Sequence, residues 1–155
     1  MAPGAFDQRP LEDRGDVLVF TSGALTAPLE IAGPVDVRLT VSSDCPATDI
    51  TAKLIDVHPN GKAFNVLDGI AEVRFAGSGT ASTVTVTLGS TAIRFGEGHR
   101  IRLHVSSSNF PAFPVNPNSR ESRIAAVLTD DRVAKNRLHL GNEGGCAILM
   151  PVVPD

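Results

Sequence analysis

The stretch Pro34 to Ser43, PVDVRLTVSS, decides the fold. Val35, Val37, Leu39 and Val41 alternate with Asp36, Arg38, Thr40 and Ser42. Successive side chains of an extended strand point to opposite faces, so this period of two turns one apolar face to a core and one polar face away from it. Working outward, the same period recurs. Val84, Val86 and Leu88 alternate with Thr83, Thr85 and Thr87, and Ile101, Leu103 and Val105 alternate with Arg100, Arg102 and His104. These are half-buried antiparallel strands, each expected to turn its polar face to water.

Turn residues separate the runs. Pro59-Asn60-Gly61 lies between DITAKLIDVH and AFNVLDGIAEVRF, and Asn-Gly readily takes the positive φ angles of a tight hairpin. Gly77-Ser78-Gly79 precedes STVTVTL and Gly96-Glu97-Gly98 precedes HRIRLHV. Gly33-Pro34 and Gly144-Gly145 are expected to open two further strands. Helical signal is confined to SRIAAVL, Ser122 to Leu128, which could form a short turn. Regular short strands, about eight to ten of the usual length, predict an all-β sandwich or barrel.

A chain of 155 residues suits one domain, 1–155, and hides roughly 70% of the surface that its unfolded form exposes. Hydrophobic residues make up 42%, charged residues 20%, and the formal net charge is −3. This mild acidity argues against a nucleic-acid partner, which selects for a basic stripe. No apolar run approaches the ~20 residues of a membrane-spanning helix, so no membrane partner is expected. The opening residues MAPGAFDQRPLEDRGD lack a cationic start and an apolar stretch. They do not read as a secretory leader, and a cytoplasmic location is the expectation. Cys45 and Cys146 have no CxxC partner. They are expected to be free structural thiols, with no zinc site and no other cofactor.

HVSSSNFPAFPVNPNS, His104 to Ser119, is the one stretch that invites a nucleophile. A hydrolytic serine needs a base and a group that orients the base. The pentapeptide G-x-S-x-G of α/β-hydrolases is missing, and so is their strand–helix alternation. Ser106 to Ser108 therefore read as a strand end whose hydroxyls bond a loop. No phosphate-cradling glycine loop occurs. Asp44, Asp49, Asp56 and Asp68 have no EF-hand spacing and read as solvated turn residues. Asn109 to about Lys135 lacks strand signal, and loops of that length usually carry function or pack on a neighbour.

Several stretches in order carry a resemblance. They are DQRP (Asp7–Pro10), DVLVF (Asp16–Phe20), LEIAGPVDVRLTVSSD (Leu29–Asp44), TDITAKLIDVHPNGKA (Thr48–Ala63), LDGI (Leu67–Ile70), GHRIRLHVSSSNFPAF (Gly98–Phe113) and ILMPVVP (Ile148–Pro154). Together they resemble the C-terminal domain of the Xaa-Pro dipeptidyl-peptidase, cocaine esterase and α-amino acid ester hydrolase family. The resemblance covers nearly the whole chain. It implies a galactose-binding-like β jelly roll, and a catalytic Ser, Asp and His that belong to a preceding α/β-hydrolase domain. No catalytic residue is carried over, because no position here matches one. The family often places an Asp-Arg pair in front of the loop asparagine. Pro114 and Val115 stand there before Asn116.

The resemblance implies an accessory domain that packs on an upstream catalytic domain in cis and helps wall its cleft. The candidate contact residues are Asn109, Phe110, Phe113 and Asn116. The phenylalanines would supply an apolar patch, and the asparagines would satisfy backbone groups. Equally, both phenylalanines could close the domain's own core. A carbohydrate-binding module is a weaker alternative, because the chain has no Trp and no Tyr to stack on a sugar ring. A homodimerising sandwich is a third reading.

Overall fold

A computed structural model describes residues 4–119, 132–141 and 145–154. Eight strands occur in these residues: β1 (Leu18–Thr21), β2 (Leu29–Ser43), β3 (Ala47–Val57), β4 (Ala63–Arg74), β5 (Ser82–Phe95), β6 (Arg100–Ser106), β7 (Asn136–Leu138) and β8 (Ala147–Leu149). One sheet has the order β1-β6-β3-β4. The other has the order β5-β2-β7, with β8 also paired to β2, and every pairing is antiparallel. The two sheets form a β-sandwich of the jelly-roll type.

The alternating valines fill the space between the sheets. Val35, Val37, Leu39 and Val41 of β2 and Val84, Val86 and Leu88 of β5 pack with Ile50, Ala52 and Leu54 of β3 and Leu103 and Val105 of β6. The polar partners on β2 and β5 other than Ser42, which is buried, lie on the outer face and pair across the ladder, as Thr87 Oγ1 does by donating to Asp36 Oδ1 at 2.7 Å. Gly61, with φ of 84°, closes the β3–β4 hairpin. The other two glycine turns carry the chain from one sheet to the other, from β4 to β5 and from β5 to β6.

Three local expectations are corrected. Gly33-Pro34 does not open a strand, because β2 already begins at Leu29. Pro34 falls between the Ile31–Val152 bridge and the β8 register at Asp36–Arg38, an interval where no ladder is formed on that side. β8 starts at Ala147, past Gly145, while Gly144 and the Ser122–Leu128 stretch lie outside the described residues.

The third correction matters most for function. The polar face of β3 and, beyond the exposed Arg100, that of β6 are largely shielded from water. Almost every residue of β3 is buried, and His104 of β6 is only 5% exposed. Residues 5–17, including the short 3-10 turn Arg9–Leu11, contribute to the cover of this outer face. Gln8 N donates to Ala63 O, Lys53 Nζ donates to Gln8 Oε1 at 3.0 Å, and Glu12 takes Arg102 as its ion partner. Asp49 and Asp56 are buried strand residues rather than solvated turn residues, Asp49 beneath Asn116 and Asp56 on the opposite face against His99, whereas Asp44 and Asp68 are exposed.

Candidate functional site

The loop after β6 lies at the rim of this covered face, and its asparagines build it. Asn116 is buried; its Nδ2 donates to Asp49 Oδ1 at 2.8 Å, and its Oδ1 accepts the Asn118 backbone N–H at 2.8 Å. Asn118 has φ of 58°, a left-handed conformation that asparagine tolerates better than most residues. Its Oδ1 accepts from Thr48 Oγ1 at 2.8 Å, and its Nδ2 donates to Arg132 O at 2.7 Å. At the other end Asn109 Nδ2 donates to Asp68 Oδ2 at 2.7 Å, and Asn109 O accepts the Phe113 N–H. The loop is thereby fastened to β3 and β4 at both ends.

Its apolar residues point the other way. Phe110 is 70% exposed and Val115 is 61% exposed. Phe113 is half-buried, but neither phenylalanine belongs to the core between the sheets. The expectation that they close that core is therefore corrected. Asn109 and Phe110 rim a depression of about 310 Å³, floored by Thr51, Lys53, His104 and Ser106. Burial pushes the His104 imidazole below its usual range, against the opposing pull of Glu12. Burial likewise lowers the Lys53 ammonium, offset in part by Asp68.

The serines hold structure. Ser106 Oγ shares a 2.7 Å hydrogen bond with Thr51 Oγ1 and donates to Ser108 O, while Ser107 Oγ accepts from Asn136 Nδ2 at 2.7 Å. A serine–histidine hydrogen bond does exist, Ser42 Oγ with His139 Nε2 at 2.9 Å. Ser42 is only 4% exposed on a central strand, where no substrate carbonyl can reach it. Cys45 and Cys146 are free thiols. Among the described residues, no helix is long and apolar enough to cross a membrane.

One cluster escaped the sequence reading. Asp56, His58 and His99 place a carboxylate oxygen and two ring nitrogens within 4.8 Å of one another. Asp56 and His58 are two apart and so share a face, which the sequence does signal. The arrival of His99 depends on strand pairing, which it does not.

The comparisons agree with this arrangement. Residues 1–144 match the X-Pro dipeptidyl-peptidase C-terminal non-catalytic domain. The chain belongs to that family. It is 39% identical to the cocaine esterase of Rhodococcus sp. (strain MB1 Bresler) over 159 aligned residues, covering 97% of this chain and 28% of that protein. Among solved structures it resembles an aminopeptidase from a marine sediment Thaumarchaeota archaeon, with a TM-score of 0.86 and 26% identity over 97% of this chain and 28% of that one. It also resembles an α-amino acid ester hydrolase, with a TM-score of 0.80 and 28% identity over 96% of this chain and 27% of that one. The chain thus spans little more than a quarter of each relative's length. The domain is non-catalytic, in keeping with the structural role of Ser106 and Ser107.

Proposed function

We propose that this domain docks on an α/β-hydrolase catalytic domain in the same polypeptide and helps wall the active-site cleft of an ester or Xaa-Pro peptide hydrolase. One observation carries the reading. The loop 109–118 spends its asparagines on its own domain and turns Phe110 and Val115 outward. A loop fastened in this way presents a preorganised apolar contact at little cost in ordering entropy. The relatives supply the occupant, because nearly three quarters of each lies beyond the part that this chain matches. Interfaces between domains of one chain run to roughly 600–1,500 Å², an area in which one phenylalanine is a substantial contribution.

The test compares Phe110→Ser in two contexts. In the 155-residue chain the substitution should shift stability by no more than about 0.5 kcal/mol, since the ring is already exposed. In the full reading frame the same change should separate the domains, shown by a new low-temperature calorimetric transition and a raised KM. A reading frame without an upstream G-x-S-x-G domain would defeat the proposal. So would a full-length F110S protein with unchanged melting and kinetics. A fluorophosphonate adduct on the isolated chain would contradict its non-catalytic character.

A further inference from the structure

The Asp56–His58–His99 cluster lies at the end of the sandwich where β3 runs into its hairpin and the β5–β6 turn arrives. Its assembly follows from the register. β3 pairs with β6 so that Val57 stands opposite Arg100, and continuing the antiparallel ladder by one residue sets His58 opposite His99. The two imidazoles lie 4.4 Å apart between centroids. Asp56, on the same face, reaches both: Oδ1 is 2.7 Å from His99 Nδ1 and Oδ2 is 3.4 Å from His58 Nε2.

Each ligand is held from behind. His58 N donates to Lys62 O at 2.8 Å, and Phe64 meets the His58 ring edge-on at 5.1 Å. His99 O accepts the Leu25 N–H at 2.8 Å. Gly96 leaves room for the His99 ring, since a Cβ there would stand 2.9 Å from His99 Nε2. The other nitrogen, Nδ1, is thereby the one that faces the carboxylate. Ligands fixed by their own backbone and packing are what a metal site requires.

We infer that Asp56, His58 and His99 bind one Zn²⁺ ion, which staples the β3–β4 hairpin to the β5–β6 turn. The donor set is two imidazoles and one carboxylate, which suits zinc and its neighbours in the first transition row rather than the oxygen-seeking Ca²⁺ or Mg²⁺. At 3.4 Å, Asp56 Oδ2 and His58 Nε2 are too far apart for a good hydrogen bond. That separation matches the ligand-to-ligand edge, about 3.3 Å, of a tetrahedron with bonds of 2.0–2.1 Å. His99 supplies the third vertex: with one donor atom taken from each residue, all three lie within 4.8 Å of one another, so the two rings need only draw in around a common centre. The fourth falls to water, because the His58 side chain is 37% exposed and opens the cluster to solvent. Cysteine is not required.

The experiment titrates the untagged 155-residue chain with Zn²⁺ by calorimetry and follows its thermal midpoint, with Ca²⁺ and Mg²⁺ as comparison ions. Expected are one equivalent of Zn²⁺ bound, a midpoint that climbs with Zn²⁺ concentration as binding to the folded state demands, and no response to Ca²⁺ or Mg²⁺. His58→Gln and His99→Gln should each abolish the Zn²⁺-dependent rise. His58 is partly exposed, so His58→Gln should leave the metal-free midpoint in place and keep the test readable if His99→Gln unfolds. His139→Gln, which removes the bond to Ser42 and so has its own metal-free midpoint, should keep the Zn²⁺-dependent rise of the unmodified chain. No binding, or a rise of equal size in His58→Gln, would overturn the assignment.

Discussion

Gly69 offers the sharpest test of how the two sheets meet. It lies on β4, in the LDGI segment, with β5 of the other sheet against it. A Cβ built on Gly69 would stand 2.4 Å from Thr87 O, 3.1 Å from the Thr87 carbonyl carbon and 3.1 Å from Leu88 Cδ2. Two opposing effects decide the outcome of Gly69→Ala. Away from any clash, alanine in a strand interior should gain about 0.5–1 kcal/mol over glycine, because the unfolded chain has less freedom to lose. Against this, a methyl at 2.4 Å from a backbone oxygen lies a full ångström inside ordinary contact. Leu88 could rotate away, but Thr87 O is part of the β5 ladder and cannot move without it.

Overpacking of this kind costs typically 1–3 kcal/mol and occasionally more, so the clash wins. At roughly 2–4 °C per kcal/mol for a domain of this size, a net loss of about 1–2 kcal/mol lowers the melting midpoint by several degrees. Gly23→Ala is the control. Gly23 has open space around it and no positive φ, so that variant should be neutral or slightly more stabilised. Calorimetry or urea unfolding of the three proteins is sufficient. A Gly69→Ala protein as stable as the unmodified chain would refute the close approach of β4 and β5 on which the description of the sandwich rests.

Asn116→Ala removes the hydrogen bonds to Asp49 and to the Asn118 N–H. It should cost about 1–3 kcal/mol by urea unfolding and make the 109–119 segment the first site of limited proteolysis; unchanged protease resistance would mean that Asn116 does not fasten the loop. His104 sets an acid dependence. The folded chain keeps this buried imidazole neutral, in contact with Glu12 and near Lys53 and Arg102, whereas the unfolded chain takes up a proton near pH 6.5. Stability should therefore fall as pH drops below about 6.5, toward the depressed folded value. His104→Gln should remove that component, so the gap in urea midpoint between the two proteins should move in favour of the variant from pH 7.5 to pH 5. A gap independent of pH would refute it.

β2 and β5 are legible in the sequence because, apart from Ser42 and Ser43 at the end of β2, only one of their faces is buried. Each apolar residue there has a polar neighbour, and the period of two survives into the core. β3 is less legible for the opposite reason. In ATDITAKLIDV both faces are covered, so Thr48, Asp49, Thr51 and Asp56 are buried beside Ile50 and Leu54. Some of what covers them comes from distant residues, Gln8 near the start of the chain and Asn116 well beyond β6. Local pattern carries no information about such partners, and a buried aspartate then reads as a turn residue. The same limit hid the Asp56–His58–His99 cluster, whose third member arrives only through the β3–β6 register.

The ordered resemblance reached further because it records positions where several long-range demands coincide. LDGI is an example: within two residues, Asp68 accepts Asn109 at the base of the exposed loop, and Gly69 makes room for Thr87 O of the opposite sheet. Neither demand is visible in the tetrapeptide, yet both constrain it. The consequence for function is directional. Asn109 and Asn116 direct their amides inward to Asp68 and Asp49, and Ser106 and Ser107 use their hydroxyls on Thr51, Ser108 and Asn136. Groups committed in this way are poor nucleophiles and poor ligands for a diffusing substrate. What remains exposed at the loop is chiefly apolar, Phe110 and Val115. A stretch that looks like a catalytic serine cluster in sequence is thus, in three dimensions, part of the fastening of a loop with exposed apolar residues. That is the arrangement a domain needs if it serves an active site without containing one.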